Sequence, residues 1–224
     1  KLLQIVNSAY FGFGKPISSV AAAVSYVGVD LLKAMALMVG IFRPAPTSIT
    51  VLGFSVEESQ QQALLVAQIA RRIVTDKSRR DEAFTTGVLH DVGKLILATR
   101  VPEAYAAILR EGITGEKPLH QLETEALGAS HALIGAVLLG AWGLPYSMVQ
   151  SVAYHHNLRT HHAIDDAVTV AVHVADAFVS AHLSGHRDVT LDLDIEALSA
   201  HGLLPQLEEW TAIANEIMEG VSNG

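Results

Sequence analysis

The stretch Thr86-Gly87-Val88-Leu89-His90-Asp91-Val92-Gly93-Lys94-Leu95-Ile96-Leu97 sets an imidazole beside a carboxylate in an otherwise almost wholly apolar run. Burying either group without a partner is costly, so something must satisfy both. Neighbouring residues of a helix point about 100° apart, so one turn can offer a ring nitrogen and a carboxylate oxygen to a single point. Metal ions take both ligand types. A lone His-Asp dipeptide is more often a buried pair that ties helices together. Here, further polar groups stand in apolar stretches downstream. His131 heads a segment containing Ile134, Val137 and Leu138. His155 and His156 close another, and His173 and Asp176 lie one helical turn apart in a third. Each alone reads as structural; jointly they point to one shared pocket.

The elements that must carry these groups read as helices. The 224 residues are 50% hydrophobic with few aromatics, a composition that favours packed helices over sheet. Ser55 followed by Glu58 is a capping box that opens a helix to about Asp76. One uninterrupted helix is expected from about Asp81 to Thr99, carrying His90 and Asp91. Further helices follow over Pro102–Glu111, Leu119–Leu127, His131–Trp142, Tyr146–His156, Ala163–Leu183, Ile195–Ala200 and Leu207–Glu219. Glu123 and Glu125 could line an acidic pocket, with a solvated helix face the preferred reading, and Arg79 and Arg80 beside Asp76 and Asp81 read as a solvated patch. Trp142, Tyr154 and Trp210 are expected in the core. His120, His161, His162, His182, His186 and His201 are expected at the surface or in loops. Ala132–Leu144 is apolar but too short to cross a bilayer, and Pro145 ends it, so it is expected to be a buried helix. Before residue 54, helices are expected at Leu2–Ala9, Val20–Tyr26 and Leu31–Phe42, then a loop or hinge at Ala45–Gly53. The fold expected is all-α: a multi-helix bundle over 54–224 with a smaller N-terminal helical lobe over 1–53. The chain starts without Met in what reads as mid-helix, so upstream residues are expected to be missing.

The net charge of −8 argues against non-specific nucleic-acid binding. The absence of cysteine excludes disulfides and thiolate metal sites and is compatible with a reducing cytoplasm. No secretory signal is visible.

Several stretches occur in a telling order: Val6-Asn7-Ser8-Ala9-Tyr10-Phe11-Gly12, Ser18-Ser19 with Val27-Gly28, Gly87 to Leu95, His131 with Gly135, Trp142-Gly143-Leu144-Pro145, and His155-His156. This order resembles the HD superfamily of metal-dependent phosphohydrolases. More closely, it resembles the HDOD domain, the HD-related output domain of bacterial signalling proteins. The resemblance implies an HD-like bundle whose metal ligands would be His90, Asp91, His131, His155, His156 and Asp176, with Glu58 as a further carboxylate. The ion would be divalent: Fe, Mn, Zn or Ni. Lys94 matches a lysine that faces phosphate in one branch of that superfamily; equally, it reads as a helix lysine reaching solvent. An HD hydrolase also has a histidine on the preceding helix. No histidine precedes His90, and register puts Gln62 there, one turn after Glu58. An amide is a poorer transition-metal ligand than imidazole. No Gly-Tyr-Pro follows the second half, so the cyclic-di-GMP phosphodiesterase branch is not supported.

The resulting expectation is a non-catalytic bacterial signal-transduction module in the cytoplasm. It would carry a degenerate phosphohydrolase site and act through protein partners or adjacent signalling domains, with no nucleic acid and no membrane. The alternative is a metal-dependent phosphohydrolase acting on a nucleotide or phosphate ester. A third reading has the pocket bind a nucleotide or other small ligand without chemistry.

Overall fold

Local signals start the bundle. The Ser55 hydroxyl accepts a hydrogen bond from the Glu58 N–H at 3.2 Å, which satisfies one of the free amides of a first helical turn. The apolar stripe behind it buries Val66, Ile69, Ala70 and Ile73. The structure, a computed structural model, describes residues 54–113, 117–160, 163–184 and 192–222. The chain divides into two units, Lys1–Ser48 and Ile49–Gly224. The elements expected before residue 54, with His161, His162 and His186, lie outside the described residues.

Every described regular element is a helix: α1 (Val56–Ile73), α2 (Arg80–Leu89), α3 (Val92–Arg100), α4 (Pro102–Gly112), α5 (Leu119–Leu127), α6 (His131–Ala141), α7 (Tyr146–Tyr154), α8 (Ala167–Ser184), α9 (Ile195–Ala200) and α10 (Leu207–Ser222). Short 3-10 turns occur at Lys77–Arg79, Ala163–Asp165 and Leu204–Gln206. The fold is all-α, as its composition and periodicity indicate. No single described helix is long and apolar enough to cross a membrane. The core lies where α1, α2, α8, α9 and α10 meet. Helix α8 is its axis. Val168, Val170, Ala171, Val172, Val174, Ala175, Phe178 and Val179 are all buried, so this helix is enclosed on nearly every side, with Thr169, His173 and Asp176 as its buried polar residues.

The largest departure from the sequence reading is the helix expected to run from Asp81 to Thr99. It is two helices. The chain breaks at His90–Asp91, where Asp91 adopts φ −101° and ψ 10°. No proline announces this, and Gly87 and Gly93 weaken a helix without ending it; packing decides it. α2 packs on α1, and α3 packs on α6. Both contacts are backbone-close. A Cβ on Gly87 would lie 2.6 Å from Ala67 Cα, and one on Gly93 would lie 1.9 Å from the His131 carbonyl oxygen. Two half-helices pressed onto different partners cannot share one axis, and the His-Asp pair occupies the joint.

Smaller corrections follow the same logic. α7 ends at Tyr154, so His155 and His156 lie in the turn after it. α6 is not a buried helix: Leu133 is 43% and Val137 73% exposed. Of the three aromatics expected in the core, Trp210 is buried, whereas Trp142 and Tyr154 are half-buried. Arg79 is half-buried, because it bridges Glu82 and Asp166. Asp166 caps α8 by accepting from the Thr169 N–H at 2.9 Å and the Ser151 hydroxyl at 3.1 Å, and so joins α7, α8 and the turn before α2. Burial would raise its pKa, but the bonds from Arg79 and Thr169 outweigh that and lower it below the ordinary 3.8.

Two outcomes are expected. Gly93→Ala lowers the unfolding free energy by about 3 kcal/mol, because the new methyl meets backbone rather than a flexible side chain; chemical denaturation checks this. Asp166→Asn costs about 1–3 kcal/mol at neutral pH. Since the folded pKa is depressed, the stability from Asp166 is present above 3.8 and is lost as pH falls through the folded value. The difference between wild type and variant therefore shrinks in denaturation curves taken below pH 3.8.

Candidate metal centre

The break between α2 and α3 turns His90 and Asp91 inward to meet groups from three other places. α6 brings His131 from its first turn, the end of α7 brings His155 and His156, and α8 brings Asp176. One ligand atom each from Asp91, His131, His155 and His156 lie within 4.8 Å of one another. The same holds for His90, His155 and Asp176, so the two groups share His155. His90, His131, His155 and Asp176 are buried, and Asp91 and His156 are half-buried.

The imidazoles are aimed. His90 Nδ1 donates to the Gly87 carbonyl at 2.7 Å, and His155 Nδ1 donates to the Val152 carbonyl at 2.7 Å. His131 Nδ1 donates to Glu123 Oε2 at 2.6 Å. An oxygen acceptor requires N–H at Nδ1, which assigns the tautomer and leaves the Nε2 lone pair of each neutral ring facing the cluster. His90 Nε2 lies 3.3 Å from both Asp91 Oδ2 and Asp176 Oδ1, and His131 Nε2 lies 3.1 Å from Asp91 Oδ1. His131 Nε2 and His156 Nε2 approach to 3.0 Å. Yet His90 Nε2, His155 Nε2 and Asp91 Oδ1 are buried without a hydrogen bond. Orphaned buried donors and acceptors are rare unless a ligand answers them. Several imidazole nitrogens and two carboxylates converging on one point, each ring held from behind by an oxygen, is a donor set that fits a divalent transition ion.

Electrostatics agree. Burial disfavours a charge on His90, but the carboxylates of Asp91 and Asp176 overcome it and raise its pKa to about 10. Burial opposes the charge on Asp91 too, and His90, Lys94 and His131 nevertheless hold its pKa well below the ordinary value. Asp176 stays low, at about 2, against its own burial, chiefly through His90. Burial and the neighbouring His90 charge push His155 down to about 3 and keep it neutral. The centre is thus a pair of buried carboxylates balanced by positive charge at the place where a cation would sit.

The remaining expected residues separate. Glu58 is exposed on the first turn of α1 and joins neither group. Gln62 is half-buried; its amide donates to Ser180 Oγ at 3.4 Å, and Ser180 donates to Asp176 Oδ1 at 3.4 Å. It therefore supports a member of the cluster from outside. Lys94 Nζ pairs with Asp91 Oδ2. It also lines a cavity of about 460 Å³ beside the cluster, together with His120, His156, Arg159 and Asp194.

Two residues read from sequence as solvent-facing are part of the site. Glu123 is 0% exposed, and its Oε2 also accepts the His131 backbone N–H at 2.7 Å. Its signal was legible: Leu119 and Leu127, one turn to either side, put it on the apolar stripe of α5. His120 is half-buried and stacks on His156, with ring centroids 4.5 Å apart and planes 10° from parallel. Nothing local marks that contact. His173, whose neighbours in α8 are buried, donates from Nδ1 to the His155 carbonyl at 2.7 Å and accepts the Asp194 N–H on Nε2 at 3.0 Å. Glu123→Gln removes the charge behind His131 while keeping its shape, and is expected to weaken divalent-ion affinity by about 10–100-fold in equilibrium dialysis.

Comparisons with known proteins place these features. The HDOD domain family model matches residues 1–158. An uncharacterised protein of Treponema pallidum (strain Nichols) is 29% identical over 163 residues, which are 70% of this chain and 30% of that protein. The chain thus spans under a third of the length of that curated relative. Among solved structures, a protein from Marinobacter aquaeolei VT8 described as a candidate signal transduction protein superposes with a TM-score of 0.65 at 22% identity, over 99% of this chain and 51% of that one. A candidate phosphohydrolase from Shewanella amazonensis SB2B superposes with a TM-score of 0.63 at 20% identity, over 96% and 81%. At these identities the two structures share a fold with this chain.

Proposed function

The chain belongs to the HDOD domain family, and we propose that it is a regulatory module whose HD-type cradle serves signalling and not turnover. The observation that carries this reading is Gln62. The helix preceding the His90–Asp91 joint directs no imidazole to the cluster, and the Gln62 amide is occupied by Ser180. An ion held without that ligand would meet less donor charge and a less complete shell. When bound, a divalent cation would supply positive charge to the two carboxylates and polarise an oxygen placed against it. The chain's own residues do the rest: Gly87 and Val152 carbonyls aim His90 and His155, Glu123 fixes His131, and Ser180 steadies Asp176. In this reading the module works in a bacterial cytoplasm through protein partners or adjacent signalling domains. A match that covers only 30% of a curated relative accords with a domain that works beside others.

A second reading, a phosphohydrolase acting on a nucleotide or phosphate ester, is favoured by one observation. The cavity of about 460 Å³ abuts the cluster and carries Lys94 and Arg159 on its wall. There Lys94 would hold a phosphate oxygen. Assay of the chain with Mn, Fe, Ni or Zn against bis-p-nitrophenyl phosphate and nucleoside phosphates separates the two. The expected result is a stoichiometric ion with no hydrolysis above that of Asp91→Ala. Turnover that Asp91→Ala abolishes would replace the regulatory reading by the hydrolytic one.

A further inference from the structure

Helix α6 opens with His131 in the metal centre, but its other side faces solvent and is wholly apolar. Leu133 is 43% and Val137 73% exposed, Gly140 and Ala141 are exposed, and Ile134 is half-buried at the edge. At 100° per residue these five lie on one face centred on Val137. Beyond the turn at 143–145, Tyr146 is 74% exposed. Soluble chains rarely leave a continuous apolar helix face bare.

We infer that this face is the contact surface between two copies of the chain, packed antiparallel about a two-fold axis at Val137. Two properties of the face select a second copy. The first is steric self-complementarity. A two-fold axis at Val137 sets Leu133 against Ala141 and Ile134 against Gly140, and Val137 against itself. Each large side chain meets a small one, as an isologous interface requires. The second is charge. The chain carries −8, so two copies repel across most approaches, yet between Ala126 and Leu158 no residue is charged apart from histidines. The helix and the segment after it thus bring no like charges of their own to the contact. The same stretch argues against a lipid surface, since interfacial helices flank their apolar face with Lys or Arg and this one has none.

Sedimentation equilibrium of the 224-residue chain is expected to give twice the 23.9 kDa chain mass. Val137→Glu, at an exposed position, keeps the far-UV spectrum, raises the dimer dissociation constant by more than about tenfold, and melts where dilute, monomeric wild type does. The chain has no cysteine, so single cysteines report the register. Under diamide, Val137→Cys cross-links to itself, and Leu133→Cys cross-links to Ala141→Cys in preference to another Leu133→Cys. A monomer at every concentration with no cross-link overturns the inference. So does a dimer indifferent to Val137→Glu, or a Leu133→Cys chain that prefers itself. A Val137→Glu chain that melts below dilute, monomeric wild type shows the face to be covered from within the chain and overturns it as well. A monomer that floats with phosphatidylcholine vesicles assigns the face to lipid instead.

Discussion

Two carboxylates, Asp91 and Asp176, are buried side by side near the centre of the bundle, and the surrounding structure answers that constraint. Unbalanced, they would repel each other and lose solvation. Positive charge must sit between them, and His90, His131 and Lys94 stand within reach to share it. The carbonyls of Gly87 and Val152 and the carboxylate of Glu123 orient the rings of His90, His155 and His131 from behind. The backbone of three helices is thereby committed to the geometry of a few polar atoms. Two of these imidazole nitrogens, His90 Nε2 and His155 Nε2, stay without hydrogen bonds, a donor set that fits a divalent ion.

Close backbone packing makes the arrangement possible. Gly87 lets α2 settle on α1, and Gly93 lets α3 settle on the first turn of α6. The joint between these half-helices presents His90 and Asp91 to the interior, and the Gly93 contact fixes the backbone of His131 against the same joint. A side chain at either glycine would push apart elements that must converge. Burial of α8 on all sides holds Asp176 from the opposite direction, with Ser180 and Gln62 behind it.

Helix α6 links the two regions of chemical interest. Its inner first turn supplies a ring to the centre, and its outer face is apolar and uncharged. Gln62 marks how this domain differs from an HD hydrolase: the residue is near the cluster and bound to its support without being a ligand. In the regulatory reading we propose, a centre that keeps most of its donors but lacks the imidazole of the preceding helix holds an ion without strongly activating an oxygen.

Helix content, most helix starts and the identities of the converging groups were legible in the chain, because capping residues, apolar periodicity and polar residues in apolar runs are local signals. His90, Asp91, His131, His155, His156 and Asp176 announced themselves by standing where burial is costly. The break at His90–Asp91 was not legible, because Gly87, Asp91 and Gly93 only weaken a helix locally and the deciding cause is two packing partners far apart in sequence. Glu123 was readable from its stripe yet passed for solvated, since a carboxylate's partner is invisible until α5 and α6 fold back on each other. Glu58 stands in the expected register but faces solvent, and α6 has the composition of a core helix but half of it is bare. By itself the sequence determined which segments coil and which groups need partners, because these follow from each residue's own chemistry. Which partners they meet, and which apolar face remains open, only the tertiary structure decided, because these depend on how close two backbones can come.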